Sequence, residues 1–226
     1  GTIKLKEIMS RIARIVLPGI PHHVTQRGVR SMVLFETEDD RRYYLRVLKE
    51  QAGRFGLEFK SYCLMSNHIH LVVVPQFEDS LRKAIGQTHL KYTLRINSRN
   101  EVRGHLFQER FYSCPMDDQH FIAACRYVER NPVRAGLVQQ AWDFVWSSAR
   151  FHVGIADNDF LIESSDWHSS SEEWKQQLSD RQEGIDNLRK HFKTGRPLGS
   201  ESFVRSAIAK SGVVLPRKKV GRPQKK

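Results

Sequence analysis

The sequence predicts an α+β fold, a ferredoxin-like split βαβ antiparallel sheet with helices on one face. Two observations carry this prediction. β-Rich runs alternate with long segments of helical periodicity, and their order is β-α-β-β-α-β followed by a further helix. The predicted strands cover 22–27, 57–64, 68–74 and 106–114, and the predicted helices begin near 37, 80 and 117. The second face of such a sheet is free to carry a site.

The first two helices are predicted from their ends and their apolar spacing. Thr37 followed by three acids is typical of a helix start, and Gly56 stands where a C-cap glycine belongs. A second long helix opens with the stretch 77–80 and runs to about Ile96, and the charges on its remaining positions are almost all positive. That excess favours a surface that faces phosphates over an ordinary solvated face.

Two short apolar runs, 57–64 and 68–74, are joined tightly and predict an antiparallel hairpin. Because successive side chains of a strand point to opposite faces, His68 and His70 share one face. Ile69 then belongs to the other face, which is the core face. Two imidazoles one pleat apart can hold one metal ion. Taken alone, they are equally typical of half-exposed strand histidines.

A third helix begins near Asp117 and carries Tyr127 and Asn131 close to its C-terminal end. Residues four apart are neighbours on a helix, so these two side chains share a face. Pro132 disfavours helix at the residue before it, and the helix therefore ends or kinks at Asn131. Read singly, Tyr127 is more typical of a core edge and Asn131 of a helix end.

The composition favours a polyanionic partner. The chain has 226 residues and a formal net charge of +12, with a pI of about 9.8, which indicates nucleic acid or an anionic membrane. The sequence has no apolar run of about 18 residues that could span a bilayer and no signal-peptide pattern at its N-terminus, so nucleic acid ranks first. Three cysteines without C-x-x-C spacing predict free thiols in a reducing cytoplasm.

The amino-acid composition of the chain changes after about residue 155, which predicts a division into 1–155 and 156–226. The first part carries the predicted sheet. The second part is a helical extension that opens with an Asp- and Ser-rich linker and ends in a basic tail. The tail, 216–226, holds six cations and no acid and is electrostatically adhesive. Gly-Arg-Pro occurs twice in this part, a tripeptide that can enter a minor groove or can reflect ordinary loop composition.

Several motifs resemble those of a known family. The His-Ile-His at 68–70 resembles the His-hydrophobe-His motif of HUH single-strand endonucleases, and the segment 127–138 is similar to the single-tyrosine helix of HUH transposases. Three further motifs are similar to those of REP-associated tyrosine transposases, a single-tyrosine HUH family: 18–28, 107–114 and 194–200. The resemblance spans about residues 13 to 212. One departure is Ser66, where many relatives have proline, and it is expected to affect the turn more than the chemistry.

The resemblance implies metal-dependent cleavage and rejoining of single-stranded DNA at hairpin, REP-type palindromic sequences. Tyr127 would be the catalytic nucleophile and end covalently on the 5′ phosphate, and a second 3′ hydroxyl would reverse the step. His68, His70 and Asn131 would hold Mg²⁺ or Mn²⁺, which binds the scissile phosphate as a Lewis acid. The implied partner is single-stranded or hairpin DNA and not a membrane, and the implied location is the bacterial cytoplasm, in association with the nucleoid.

Cations near the proposed site or on the basic helix are the candidate DNA contacts, although each could instead only keep the protein soluble. They are Arg27, Arg30, Arg82, Lys91, Arg95, Arg103 and Arg110. Four other histidines are expected to be surface or base-contacting residues rather than metal ligands: His22, His23, His89 and His105.

Three questions stay open at this point. A monomer is slightly favoured over a dimer, and Tyr127 can act in cis or in trans. A catalytically silent hairpin-binding protein is the main rival function. An RNA-binding module and a metal-dependent hydrolase in which Tyr127 is incidental are the others, and the absence of the RNP aromatic pattern from the sequence counts against the RNA-binding module.

Overall fold

The computed structural model describes residues 14–164, 166–168, 170–180 and 184–212, which fold around a four-stranded antiparallel sheet. Its strands are β1 (His22–Arg27), β2 (Leu57–Leu64), β3 (His68–Pro75) and β4 (Tyr112–Pro115). Their order is β2-β3-β1-β4, so that β3 and β1 are central and β4 is an edge strand. The predicted α+β class and the tight β2–β3 hairpin are confirmed.

The described residues form eight α-helices, and the first begins and ends as the sequence predicts. The Thr37 hydroxyl accepts a hydrogen bond from the Asp40 backbone N–H in a capping box, and Gly56 ends the helix with a left-handed φ of 63°. None of the described helices is long and apolar enough to cross a membrane. The helices are α1 (Glu38–Phe55), α2 (Ser80–Arg99), α3 (Asp118–Glu129), α4 (Asn131–Arg134), α5 (Ala149–His152), α6 (Ser171–Ser179), α7 (Ile185–Thr194) and α8 (Glu201–Ser211).

One face of the sheet packs against α1 and α2 and forms the larger apolar core. The strands contribute alternate residues to it, among them Val24, Ile69, Leu71 and Val73, which are all fully buried. The strand register keeps these residues in rows, because Val24 pairs with Leu71 across β1 and β3. The intervening residues of β3, His68 and His70 included, therefore face the other side of the sheet.

The second face is not left open, and the expectation of a free face is wrong in this respect. α3 lies across β2 and β3, and α7 contacts β4 and β1. Cys63 and Val72 form a second core there with Trp174 of α6 and Phe192 of α7. The apolar side chains of the C-terminal helices are removed from water by this contact, which is favourable for each buried group. The remaining part of the face, between α3 and α7, carries the site described below.

The strand predicted at 106–114 is shorter in the structure and covers only its last residues. The preceding segment, 105–111, is a loop that crosses the edge of the sheet, and we call it the Phe107 loop. Glu109 has a left-handed φ of 50°, a conformation that a regular ladder does not accommodate. The loop is fixed to β1, since the Gln108 backbone N–H donates to the Arg27 carbonyl at 2.8 Å.

The helices after residue 155 pack on the first part of the chain. α6 contacts α3 and α5, and the Gly-Arg-Pro at 195–197 lies beside β4, where the Cys114 Sγ donates to the Arg196 carbonyl at 3.0 Å. The predicted basic tail and the second Gly-Arg-Pro lie outside the described residues. The division of the chain at residue 155 stays a prediction.

Candidate active site

The central strand β3 presents two imidazoles to the second face of the sheet. The ring centroids of His68 and His70 lie 5.0 Å apart, with the ring planes nearly perpendicular. The register places Arg27 of β1 directly opposite His68 and Thr25 opposite His70. Side chains in such cross-strand positions lie on the same face. The two histidines thus stand beside each other as the alternation of the sequence predicts.

Both imidazoles are oriented through their Nδ1 atoms. His68 Nδ1 lies 2.6 Å from the Asn67 Oδ1, and His70 Nδ1 lies 2.9 Å from the Nε2 of His23. Each ring therefore has its Nε2 left for the interior of the site. Burial, followed by the charges of Arg27 and Arg134, lowers the pKa of His68 to about 4. Burial and the neighbouring imidazoles bring the pKa of His70 well below its ordinary value, so both rings are neutral at pH 7.

α3 carries Tyr127 to this pair from the neighbouring layer. Asp117 caps the helix by accepting a hydrogen bond from the His120 backbone N–H. The Tyr127 ring meets His70 edge-on, with the centroids 5.6 Å apart. The same ring contacts Phe192 of α7 at 5.3 Å and is only 6% exposed. One chain therefore brings the tyrosine and the histidine pair together without a second copy.

Asn131 begins α4, directly after the point where α3 ends. Its Nδ2 lies 3.5 Å from the Nε2 of His68, and its Oδ1 accepts a hydrogen bond from Arg134 at 3.0 Å. Arg134 also lies over the Tyr127 ring, 3.9 Å from its centroid, and donates to the Tyr127 carbonyl at 2.9 Å. Pro132 is accommodated in the first turn of α4, where a missing N–H is tolerated. The break between the two helices lets Asn131 face the histidines.

These groups line one cavity of about 720 Å³. It opens between β1, the Phe107 loop, α3 and α7. Four cations and one acid are among its lining residues, together with the candidate nucleophile and ligands: Arg27, Arg134, Arg189, Lys193, Glu109, Tyr127, His68, His70 and Asn131. The electrostatic potential of the cavity therefore favours an anionic ligand.

Of the predicted DNA contacts, Arg27 alone lines this cavity. Lys91 and Arg95 lie on α2, on the opposite face of the sheet from the histidines. Lys91 pairs with Glu50 at 2.9 Å, and Arg95 lies over the Tyr43 ring at 4.3 Å. The structure does not bring these two to the site. Arg30 is exposed in a 3₁₀ turn and Arg103 in a loop, and Arg82 and Arg110 line a second cavity described below.

Sequence reasoning missed several residues of the site. The expectation that His22 and His23 are surface or base-contacting residues is wrong, because both are buried. His23 faces the site and supports His70, whereas His22 accepts from the Leu17 backbone N–H at 3.2 Å on the other face. The alternation of β1 could have separated these two roles. Phe192 had no such signal, because only the fold brings α7 over His23, to which its ring stacks at 3.6 Å.

The residues fit a divalent ion held by two imidazoles and an amide. In the described part of the chain, no group of three His, Cys, Asp or Glu side chains is arranged to hold a metal. A third ligand beside His68 and His70 would come from another residue type, and the amide oxygen of Asn131 is of the kind that suits Mg²⁺ and Mn²⁺. Neutral imidazoles with their Nδ1 atoms already engaged are the form in which histidine binds metals.

Glu129 lies on α3 two residues from Tyr127, and its side chain points away from the cavity into the second core. Its Oε1 accepts from Ser148 and His152, each at 2.5 Å, and its Oε2 accepts from the Trp174 indole at 2.8 Å. Burial alone would raise the pKa of this carboxyl, but His152 and the hydrogen-bond donors hold it below its usual value. The network ties the tyrosine helix to α5 and α6.

Several solved structures match this chain, among them the following two. One is a REP-associated tyrosine transposase bound to a REP hairpin, which has 17% sequence identity and a TM-score of 0.56, over 71% of this chain and 94% of that chain. The other is a protein from Deinococcus radiodurans that is assigned as a transposase, with 17% identity and a TM-score of 0.37 over 52% of this chain and 95% of that chain. The first similarity supports the fold. No curated protein matches this chain.

The sheet, with its tyrosine-bearing helix, has the fold of transposases, which are DNA-processing enzymes. Residues 20–131, about half of the chain, match the family described as IS200-like transposases. This segment of the chain belongs to the family. The matched segment begins just before β1 and ends at Asn131, and it therefore includes the histidine pair and Tyr127.

Proposed function

We propose that this protein cleaves and rejoins single-stranded DNA at hairpin, REP-type palindromic sequences by metal-dependent transesterification on Tyr127. One observation supports this proposal above all. The tyrosine, the histidine pair and Asn131 line a single basic cavity within one chain, although they come from two different layers of the fold. Membership of the segment 20–131 in a transposase family and the likeness to a hairpin-bound relative agree with it.

His68, His70 and Asn131 would hold Mg²⁺ or Mn²⁺. Asn131 would serve as a ligand after its amide turns, because its Nδ2 faces His68 and its Oδ1 accepts from Arg134 in this structure. A bound divalent ion supplies Lewis-acid polarisation of the scissile phosphate. The two imidazoles favour Mn²⁺ in affinity, whereas the amide oxygen suits either ion. His23 keeps the His70 ring in place from behind, which is the usual role of a group that contacts a metal-binding histidine.

The Tyr127 hydroxyl attacks the phosphorus and gives up its proton to water, the Tyr127–phosphate bond forms, and the bond to the 3′ oxygen breaks. The leaving 3′ oxygen takes up a proton and departs as a hydroxyl. Attack by a second 3′ hydroxyl on the phosphotyrosine reverses these events and joins new ends without an external energy source. Arg27 and Arg134 offset the negative charge of the phosphate, since both line the cavity.

The reaction is tested by incubating the full chain and Mn²⁺ with a 5′-tailed hairpin DNA and examining a denaturing gel for a covalent adduct. We expect an adduct with the native chain, none with Tyr127→Phe and none in EDTA. Tyr112→Phe is the matched control, because Tyr112 lines the same cavity and is 46% exposed. An adduct that persists in Tyr127→Phe and disappears in Tyr112→Phe would assign the nucleophile to Tyr112.

A catalytically silent hairpin-binding protein is the second candidate, and one observation favours it. Tyr127 is only 6% exposed and lies beneath Phe192, so a phosphate reaches its hydroxyl only through the cavity. Binding of the hairpin DNA without cleavage, with Mg²⁺ and with Mn²⁺ alike, would establish this second function in place of the first.

A further inference from the structure

A second cavity of about 410 Å³ lies between α2 and the Phe107 loop. One face of α2 forms its wall, because the lining residues of this helix recur at helical spacing: Arg82, Gly86, His89, Leu90 and Thr93. The Phe107 loop forms the opposite wall, and Arg14 closes one end. The function proposed above makes no use of this cavity.

The walls of the second cavity are flat and largely apolar. The imidazole of His89 stacks on Phe107, with the centroids 3.9 Å apart and the planes within 17°. The guanidinium of Arg14 lies 3.6 Å over the Phe111 ring. Leu90 stands at the rim and is 52% exposed. Aromatic rings and guanidinium planes are the groups on which proteins stack unpaired bases.

The charges around the second cavity are predominantly positive. Arg14, Arg82 and Arg110 line it together with Glu109. Burial lowers the pKa of Arg14 to about 10, and repulsion from Arg110, which lines the same cavity, acts in the same direction, so Arg14 remains charged at pH 7. Arg82 is well exposed, and its ion pair with Asp79 is long, at 3.9 Å. An anion between these arginines would be held favourably.

The Phe107 loop separates the second cavity from the first. Glu109 lines both of them. The loop is held firmly, because the Gln26 side chain donates to the Gln108 carbonyl at 2.7 Å and Phe107 pairs with Gly28. A nucleic-acid strand that runs over this loop would meet both cavities in succession.

We propose that the second cavity binds one unpaired nucleotide of the DNA whose strand enters the first cavity. The base stacks against the His89 and Arg14 walls, and its phosphate lies between Arg82 and Arg110. This inference rests on the function proposed above for its DNA, but not on the cleavage chemistry.

Two helical glycines provide the test. Gly86 lines the second cavity, and a Cβ at this position meets no atom within 4 Å; the same holds for Gly53, which is exposed on α1. Gly86→Trp therefore fills the cavity, and Gly53→Trp adds the same side chain elsewhere. With fluorescein-labelled oligothymidylate of about 15 nucleotides in EDTA, we expect Gly86→Trp to weaken binding about tenfold, which is the loss of one stacked base. Gly53→Trp is expected to bind like the native chain.

A second matched pair of variants tests the cavity independently, in case a tryptophan variant does not fold. Leu90→Glu places a negative charge at the rim, and Leu94→Glu places the same charge one turn further along α2, at a position that is 60% exposed. We expect only Leu90→Glu to weaken binding strongly. Equal affinities within both pairs would overturn the proposal.

A competition measurement and an inactive background variant separate the possible outcomes. Thymidine monophosphate is tested as a competitor, and tight binding of the free nucleotide that Gly86→Trp abolishes would reassign the cavity to free nucleotides and overturn its role toward the DNA strand. All titrations use a Tyr127→Phe background, so cleavage does not enter. Weaker binding by Gly86→Trp supports the proposed role of the second cavity even if the native chain forms no covalent adduct in the gel experiment above. If the native chain forms the adduct and Gly86→Trp binds DNA as well as its control, only the role of the second cavity is overturned.

Discussion

The two faces of the sheet are made from alternate residues of the same strands, yet they bury different chemistry. The face toward α1 and α2 is packed with aliphatic and aromatic side chains such as Ile69 and Leu71. The face toward α3, α6 and α7 buries His23, His70 and the Glu129 network as well as apolar groups. Successive residues of one strand therefore serve stability on one side and a site on the other.

The difference shows how a buried site is made compatible with a stable fold. A polar group without a hydrogen-bond partner in the interior is costly, and an unpaired charge is more so. On the second face, Glu129 has four donors, including Ser61 at 3.1 Å. His23 and His70 are neutral because burial lowers their pKa values. Glu129 is stabilised on the polar face by its partners, whereas His23 Nδ1 and His152 Nε2 have no hydrogen-bond partner among the described residues. The apolar face is stable because its groups leave water.

The largest effect is expected at the centre of the polar network. Glu129→Ala leaves Ser148, His152 and Trp174 without their acceptor, and we expect the free energy of unfolding to fall by about 3–5 kcal/mol. Leu71→Ala on the apolar face is the control and is expected to lower it by about 2–5 kcal/mol through a cavity. Urea denaturation measures both. A loss below about 1 kcal/mol for Glu129→Ala would show that the network adds little to stability and would break the comparison.

Neighbouring residues of β3 are expected to separate activity from stability. His68→Ala removes a proposed ligand that is half-buried, and we expect adduct formation with Mn²⁺ to slow by at least about 100-fold, equivalent to about 3 kcal/mol. Ile69→Val is expected to leave the adduct rate unchanged and to lower the free energy of unfolding by about 1 kcal/mol. Rates from the denaturing gel and unfolding curves test the pair. Equal adduct rates in the two variants would contradict the role of His68.

The two adjacent histidines of β1, His22 and His23, offer a finer comparison between the apolar face of the sheet and the face that carries the site. His23→Phe removes the partner of His70 Nδ1, and we expect the affinity for Mn²⁺ without DNA to fall about 10–100-fold. His22→Phe, on the other face, is expected to leave that affinity unchanged. Isothermal titration calorimetry measures both variants. Unchanged Mn²⁺ binding in His23→Phe would show that His70 does not depend on this support.

The smallest expected effect is a pH-dependent contribution to stability from Asp40 of α1, on the apolar side of the sheet. Burial alone would raise the pKa of Asp40, but the Thr37 and Glu36 N–H groups and Arg99 lower it. A carboxyl whose folded pKa lies below the unfolded value of about 3.9 stabilises above that pH and loses its contribution as the pH falls through the folded pKa. We expect Asp40→Asn to lower the free energy of unfolding by about 1–2 kcal/mol at about pH 6, and by less at about pH 3. A gap of the same size at both pH values would contradict this.

Much of the fold could be predicted because its signals are local. The alternation in β3 separates His68 from Ile69, and Thr37 and Gly56 mark the ends of α1 without reference to distant residues. The position of Tyr127 next to Asn131 also follows from helical spacing.

The parts that escaped prediction depend on distant contacts. Phe107 and Phe111 are interleaved with polar residues in a segment that the sequence predicts to be a strand. They are buried from a loop whose course is set by Glu109 and by hydrogen bonds to β1. α7 carries a narrow apolar stripe, and Leu188 and Phe192 are buried because the second face receives them. The link between His23 and His70 requires the register of two strands that lie far apart in the sequence.

The indole of Trp174 limits how far the C-terminal part of this protein can be shortened. It fills the second core and donates to a carboxylate two positions from Tyr127. A fragment that stops at the boundary of the family match, after Asn131, retains the proposed nucleophile and metal ligands. It lacks Trp174, which packs in the second core and binds the Glu129 carboxylate. Such a fragment is expected to melt early and to expose an ionised Glu129, so minimal versions for fusion or engineering should extend at least through the end of α7.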